Sequence, residues 1–280
     1  MRSRDTRQRA EQALIRLATA LGDRADQIVV IGGLNADLLT DAPTAPHQGT
    51  VDVDLLIQVG FSFERDELDL SWIERGLRDA GFAPLPGDQT WRWVAMIDGV
   101  PVKVELLCDT PDSRGQQIVL PGCAVATAMN LAGPSAAAAG ITRQLIAEEA
   151  GAEAVTMRFA SLGGYVLAKA AAVVGRGLDK DLYDLAFVLL HNRDGGPAAA
   201  GKAAHDALPE PAFSDHAGDL RAALGMFHDP NESGPRLYAT QRIRDGEEAP
   251  IDVLAQDAVG AALECLDAFE RRAAASGTQS

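Results

Sequence analysis

The feature that most limits what this chain can fold into is the run TWRWVAMI, DG, VPVKVELLC, residues 90 to 108. Two segments rich in β-branched and aromatic residues flank an Asp98-Gly99 pair, the dipeptide that favours a tight two-residue turn between antiparallel strands. Side chains alternate across a strand, so Val102, Val104 and Leu106 share one face of the second segment, and Lys103, Glu105 and Leu107 share the other. A hairpin with one apolar face is therefore predicted, and with it a β-sheet in the N-terminal half.

Other elements follow from periodicity. Residues Thr6 to Leu21 carry Ala10, Leu14, Leu17 and Leu21 at helical spacing and stop at Gly22, which predicts a leading amphipathic helix. DQIVVIGG is a short buried strand ending in glycines, NADLLT begins a helix, and DAPTAPHQGT is a Pro/Gly-rich loop entering the strand VDVDLLIQV. The loop offers His47 two roles, approach to the site or, as is commoner for a loop histidine, a solvated residue, and the solvated reading is preferred. ELDLSWIERGLRDAGF is a helix closed by Gly81, and QQIVLPG and AVTMRFA read as further short strands around an alanine-rich segment that periodicity does not assign. Beyond Ser161 the strand signal ends. SLGGYVLAKAAAVVGRGLDKDLYDLAFVLLHNR reads as two helices broken at Gly175 to Gly177, and the remainder as helical with a polar Gly/Pro-rich interruption near residues 194 to 235. The expected class is α+β: a mixed sheet with flanking helices over residues 1–160, then an α-helical domain over 161–280.

With 280 residues, 47% of them hydrophobic, the chain can bury a sizeable core. It contains no run of eighteen apolar residues, and its N-terminus is charged and amphipathic without an apolar signal segment, so a cytoplasmic protein with no membrane association is expected. Cys108, Cys123 and Cys265 are widely spaced, as buried small apolar residues would be, and suggest neither disulfides nor a zinc site. A net charge of −15 argues against a surface built for broad capture of nucleic acid, although a protein touching only an RNA end needs few phosphate contacts.

Aspartate is depleted in strands, yet VDVDLL holds two. Asp52 and Asp54 lie on one face while Val51, Val53 and Leu55 turn to the core. If the hairpin's second strand pairs beside this one, Glu105 becomes a third carboxylate. Crowded carboxylates raise one another's pKa unless a cation offsets them, and hard oxygen ligands suit magnesium. Gly32 and Gly33, between a strand and a helix, leave backbone N–H groups open to a phosphate. Metal and phosphate held side by side are the elements of phosphoryl or nucleotidyl transfer with two metals. Taken singly, a glycine pair after a strand is a turn, and Asp-x-Asp is a solvated strand face.

The order of apolar residue, Gly32-Gly33, helix, loop, Asp52-x-Asp54 on a strand and Glu105 on a later strand resembles the nucleotidyltransferase superfamily that includes DNA polymerase beta. SLGGYVLAKAAAVVGRGLDKDLYDLAFVL resembles the downstream motif of the AbiEii-type nucleotidyltransferases, toxins of type IV toxin–antitoxin systems. The resemblance covers roughly residues 28 to 190 and implies that Lys169 is the nucleotide-contacting lysine, that Asp184 matches the downstream catalytic aspartate, and that Arg176 serves the nucleotide. Leu34 follows Gly33 where many members have Ser or Thr, so Asn35 or Thr50 is left to contact phosphate. The alternatives on residues alone are a snorkelling Lys169 and an ordinary i,i+4 pair between Lys180 and Asp184.

The expectation is therefore a magnesium-dependent nucleotidyltransferase. Asp52, Asp54 and Glu105 hold metal, Gly32, Gly33, Asn35, Lys169 and Arg176 bind an NTP, and Lys169 and Asp184 join the catalytic set. The resemblance implies an RNA acceptor, a tRNA 3′ end, and a cognate antitoxin. An aminoglycoside-type small-molecule acceptor and a non-catalytic nucleotide-binding module are the rival readings.

Overall fold

A computed structural model describes residues 4–42, 44, 47, 50, 52–60, 65–87, 89–139, 141–145, 155–210 and 214–277. Val51, expected on the core face of its strand, lies outside them, as do Pro43 and Pro46. The chain forms two compact units: Met1–Asn35 with Gly49–Ala160, and Ala36–Gln48 with Ser161–Ser280. A single crossing near Ser161 is what the sequence suggests. Packing adds two more, because the segment between the glycine turn and the Asp strand belongs with the C-terminal helices.

The first unit is α+β. Among its described residues, helix α1 (Arg4–Leu21) precedes strand β1 (Val29–Ile31), the start of helix α2 (Gly33–Leu39), strand β2 (Asp52–Leu56), helix α3 (Ser71–Asp79), and strands β3 (Ala83–Pro84), β4 (Arg92–Ile97) and β5 (Val100–Cys108). Strands β6 (Gln117–Val119), β7 (Thr127–Asn130), β8 (Ile141–Leu145) and β9 (Val155–Phe159) complete a mixed open sheet of order β3-β4-β5-β2-β1-β9-β8, with β7 also on β5 and β6 on β7. The β4–β5 hairpin turns at Asp98 and Gly99, both at positive φ (49° and 75°), as a two-residue turn matched to strand twist requires. The alanine-rich segment resolves into β7, a 3-10 turn over Pro134–Ala139 and β8. Its strands β7 and β8 are only four and five residues long, too short for an alternating pattern to stand out among the alanines.

One sheet face is the core. Val53, Leu55, Val102, Val104, Leu106, Trp93 and Ile97 are buried, and α1 packs on α3, β2, β4 and β5 through Ala10, Leu14 and Leu17. Burying a side chain of this kind contributes roughly 1.5–3 kcal/mol, so the alternation in β2, β4 and β5 fixes which face turns inward. The opposite face carries the charged residues. Cys108 and Cys265 are fully buried free thiols, and burial pushes each up to about 12.

The second unit is helical. Ser161 caps helix α4 (Leu162–Arg176) by accepting from the Gly164 N–H at 3.1 Å, and Gly177 ends it, donating its N–H to Val173 O. Helix α5 (Asp179–His191) follows. The region near 194 to 235, expected to interrupt the helices, instead holds α6 (Gly196–Asp206) and α7 (His216–Gly225) before α8 (Ser233–Arg244) and α9 (Ile251–Gly277). Alanine makes α6 a good helix despite its glycines, and Pro197 sits in its first turn where its missing N–H costs nothing. Gly201 serves packing, since a Cβ there would collide with Cys265 O of α9, and from α4 a Cβ on Gly163 would collide with Ala203 O of α6. No helix of the described residues is long and apolar enough to cross a membrane.

Candidate active site

The carboxylates of the first unit are placed by register. β2 and β5 run parallel with Asp54 opposite Glu105 and Asp52 opposite Lys103, while antiparallel β1 sets Ile31 opposite Asp54. Hairpin pairing then sets Arg92 opposite Glu105 and Val94 opposite Lys103. One open sheet face thus presents Asp54, Glu105 and Arg92 in one row, and Asp52 and Lys103 in the next. Strand β5 does lie beside the Asp strand, the condition on which Glu105 joins the other two.

Gly32 sits directly against this row. Its φ is +80°, and a Cβ there would overlap the Asp54 carboxylate. The glycine therefore meets a backbone need and a space need together. Gly33 is closed on one side by the Thr50 side chain. The Thr50 hydroxyl donates to Asp52 O at 3.0 Å and accepts from Asp52 N–H at 3.2 Å, a local clamp at the entry to β2. Asn35 is fully buried and donates Nδ2 to Val30 O at 3.1 Å, and its Oδ1 has no hydrogen-bond partner among the described residues. Its amide braces β1 against the first turn of α2.

Two cations interleave with the carboxylates. Arg92 Nε donates to Glu105 Oε1 at 2.8 Å, Arg92 Nη1 donates to Gln89 Oε1 at 3.1 Å, and the guanidinium lies 3.9 Å from the Trp91 ring centroid. Lys103 Nζ is 3.9 Å from Asp52 Oδ1, longer than a hydrogen bond. Among the described residues no group of three His, Cys, Asp or Glu converges to hold a metal ion. Asp52 and Asp54 share a face but are separated along the strand by roughly 6.6 Å of rise, and Glu105 is drawn toward Arg92. Magnesium takes one or two carboxylates, completing its shell with water and phosphate oxygens, so these hard, partly exposed donors fit it in pairs rather than as a trio.

Lys169, Arg176 and Asp184 belong to the second unit, where they are joined by two residues absent from the expected set, Asp181 and His47. Lys169 Nζ donates to Asp181 Oδ1 at 2.9 Å and to Asp184 Oδ2 at 2.8 Å. Arg176 grips Asp181 with Nε and Nη2 at 2.7 and 2.9 Å. His47 Nε2 lies 2.9 Å from Asp184 Oδ1, with its ring stacked on Tyr183 and edge-on to Phe187. Both aspartates are at most 1% exposed at the side chain and Lys169 is 9% exposed. Burial alone would lower the Lys169 pKa, but the charges of Asp184 and Asp181 outweigh it and hold the amine above its usual range. Burial likewise works to raise Asp181, and Lys169 and Arg176 overcome it to leave the carboxyl below its usual value.

Two readings change here. His47 is buried and bonded, not solvated. The i,i+4 pair between Lys180 and Asp184 does not form: Lys180 is exposed while Asp184 turns inward to Lys169 and His47. A sequence signal for the cluster existed in the spacing of Asp181 and Asp184. Three residues apart, with Leu182, Tyr183 and Leu185 around them, they share one face of the helix and, once buried, need a cation from a neighbouring element.

Compared with protein-family models, with curated proteins and with solved structures, the chain matches none.

Proposed function

We propose that the protein is a magnesium-dependent nucleotidyltransferase whose chemistry resides on the open sheet face of the first unit. The observation that supports this best is the adjacency of Gly32 to Asp54, with Asp52 on the same strand face and Glu105 in register beside it. A turn that exposes backbone N–H groups next to a row of carboxylates suits one substrate carrying phosphate and one carrying a hydroxyl. Asp52 and Asp54 would hold magnesium, which when bound neutralises phosphate charge and polarises the phosphoryl oxygens. The Gly32–Gly33 turn receives the phosphates, its missing side chains allowing close approach. The acceptor hydroxyl oxygen bonds to the α-phosphorus of an NTP, the bond from that phosphorus to the β-phosphate oxygen breaks, and pyrophosphate leaves. Glu105 takes the hydroxyl proton, or passes it to water.

The resemblance to AbiEii-type toxins supports an RNA acceptor, a tRNA 3′ end, and a role as the toxin of a toxin–antitoxin pair. The test is incubation with each labelled NTP, magnesium, and either total RNA or an aminoglycoside panel. Label on a tRNA-sized species supports this reading, label on an aminoglycoside moves the acceptor to small molecules, and NTP binding without transfer leaves a binding module. Asp52→Asn and Asp54→Asn should remain folded, since removing one of several like charges costs the fold little, yet lose transfer by orders of magnitude. Wild-type transfer in both variants would remove the carboxylates from the reaction.

A further inference from the structure

A triphosphate bound beside three carboxylates needs protein cations as well as metal, because its own charge adds to theirs. The resemblance gives that role to Lys169, yet the Lys169 ammonium is buried and donates to Asp181 and Asp184 within the helical unit. Reaching a phosphate would take the ammonium from two buried carboxylates, leaving Asp181 to Arg176 and Asp184 to His47 alone, which burial makes costly. The cation has to come from elsewhere.

We infer that Arg92 and Lys103, interleaved with the carboxylates on the open face of β4 and β5, are the residues that bind the NTP triphosphate. This rests on the nucleotidyltransferase reading and names the phosphate contacts of the same site. Register sets Arg92 opposite Glu105 and Lys103 opposite Asp52, so both stand in the carboxylate rows. The other face of these strands is closed by Trp93, Ala95, Val102 and Val104, which leaves this face for ligands. Neither cation is committed to the core, their side chains being 31% and 46% exposed. The Lys103 to Asp52 separation of 3.9 Å makes a weak, screened pair that exchanges at little cost.

Arg92 is prepared for a phosphate. Its guanidinium plane is fixed over Trp91, with Nη1 held by Gln89 and Nε by Glu105, and Nη2 has no hydrogen-bond partner among the described residues. A planar fork held in place loses little freedom on gripping phosphate oxygens, where an unsupported arginine would lose more. Pairing with Glu105 and Asp52 is then the ligand-free arrangement, in which the cations offset the carboxylates. With a triphosphate bound, Arg92 would use Nη2 while Glu105 and Gln89 keep its plane, and Lys103 would exchange Asp52 for phosphate oxygens.

The experiment is calorimetric titration of the full chain with a magnesium–NTP and, separately, with the parent nucleoside, using wild type, Arg92→Gln, Arg92→Lys and Lys103→Gln. Loss of one charge-assisted phosphate contact should raise the NTP Kd about tenfold, leave nucleoside binding unchanged, and be partly rescued in Arg92→Lys. Urea midpoints equal to wild type show that these exposed substitutions leave the fold intact. An NTP Kd within twofold of wild type in both glutamine variants would overturn the inference, as would weakened binding of RNA with NTP binding untouched, which assigns the pair to the acceptor. Wild type that binds no NTP defeats the nucleotidyltransferase reading itself and the inference with it.

Discussion

Gly32 illustrates how much one missing atom can decide. A side chain there would force a non-glycine residue to φ +80° and would also strike the Asp54 carboxylate. Gly81 has the same φ but nothing within reach of a Cβ. Gly81→Ala should therefore cost only the backbone term, about 1–2 kcal/mol, while Gly32→Ala should cost more and also abolish transfer by displacing Asp54. Urea denaturation of both variants checks this, and equal losses would show that Asp54 yields freely. At this scale the Asp-x-Asp face was legible, because a period of two puts Asp52 and Asp54 opposite Val53 and Leu55 whatever the fold. The partners of those carboxylates were not. Arg92 joins Glu105 through the local hairpin, but it and Lys103 reach Asp52 and Asp54 only through the β2–β5 register, a pairing across about fifty residues.

Helices α4 and α5 turn on a single lysine. Lys169 joins two aspartates on α5, and His47 reaches one of them from a segment more than a hundred residues earlier. Lys169→Met should destabilise the protein by about 3–5 kcal/mol, because removing one partner leaves buried charge uncompensated. His47→Ala should cost less, about 1–3 kcal/mol, since Asp184 keeps Lys169. Chemical denaturation measures both, and a Lys169→Met protein as stable as wild type would mean that the aspartates are not held by this amine. The helices themselves were readable from apolar spacing and from the Gly177 stop. Misassignment fell on α6 and α7, where glycine and proline look like breakers in sequence yet serve a first turn and close helix contacts.

For the whole molecule, acid stability reports what the helical unit buries. Burial, reinforced by Arg242, lowers His191 from its usual 6.5 to about 4, and its Nε2 lies 2.9 Å from the Tyr238 hydroxyl. Between those values the unfolded chain binds a proton that the folded one does not, so stability should fall as pH drops from 6.5 toward 4, by on the order of 3 kcal/mol. Asp181, depressed in the folded state, adds a further loss below the ordinary carboxylate range near pH 4. Urea midpoints across pH 4 to 8 test this, and His191→Gln should flatten the upper part of the curve. Segment Ala36–Gln48 anchors to the helices through Asp41 N–H on His191 O, Arg193 N–H on Leu39 O and His47 on Asp184. A fragment of residues 161–280 should accordingly melt below the full chain's helical unit, by calorimetry or circular dichroism, and an unchanged midpoint would make the segment dispensable.

Local chemistry in the sequence was sufficient for the β4–β5 hairpin, the amphipathic α1, the shift to helices after Ser161 and the carboxylate face of β2, because each depends on periodicity or turn preference over fewer than twenty residues. Only the tertiary structure decided that residues 36–48 pack with the helices, that Lys169 spends its charge on Asp181 and Asp184, and that Arg92 and Lys103 stand among the carboxylates. Those outcomes depend on which distant surfaces exclude water from one another, and a buried charge accepts whichever partner the packing brings within hydrogen-bond reach.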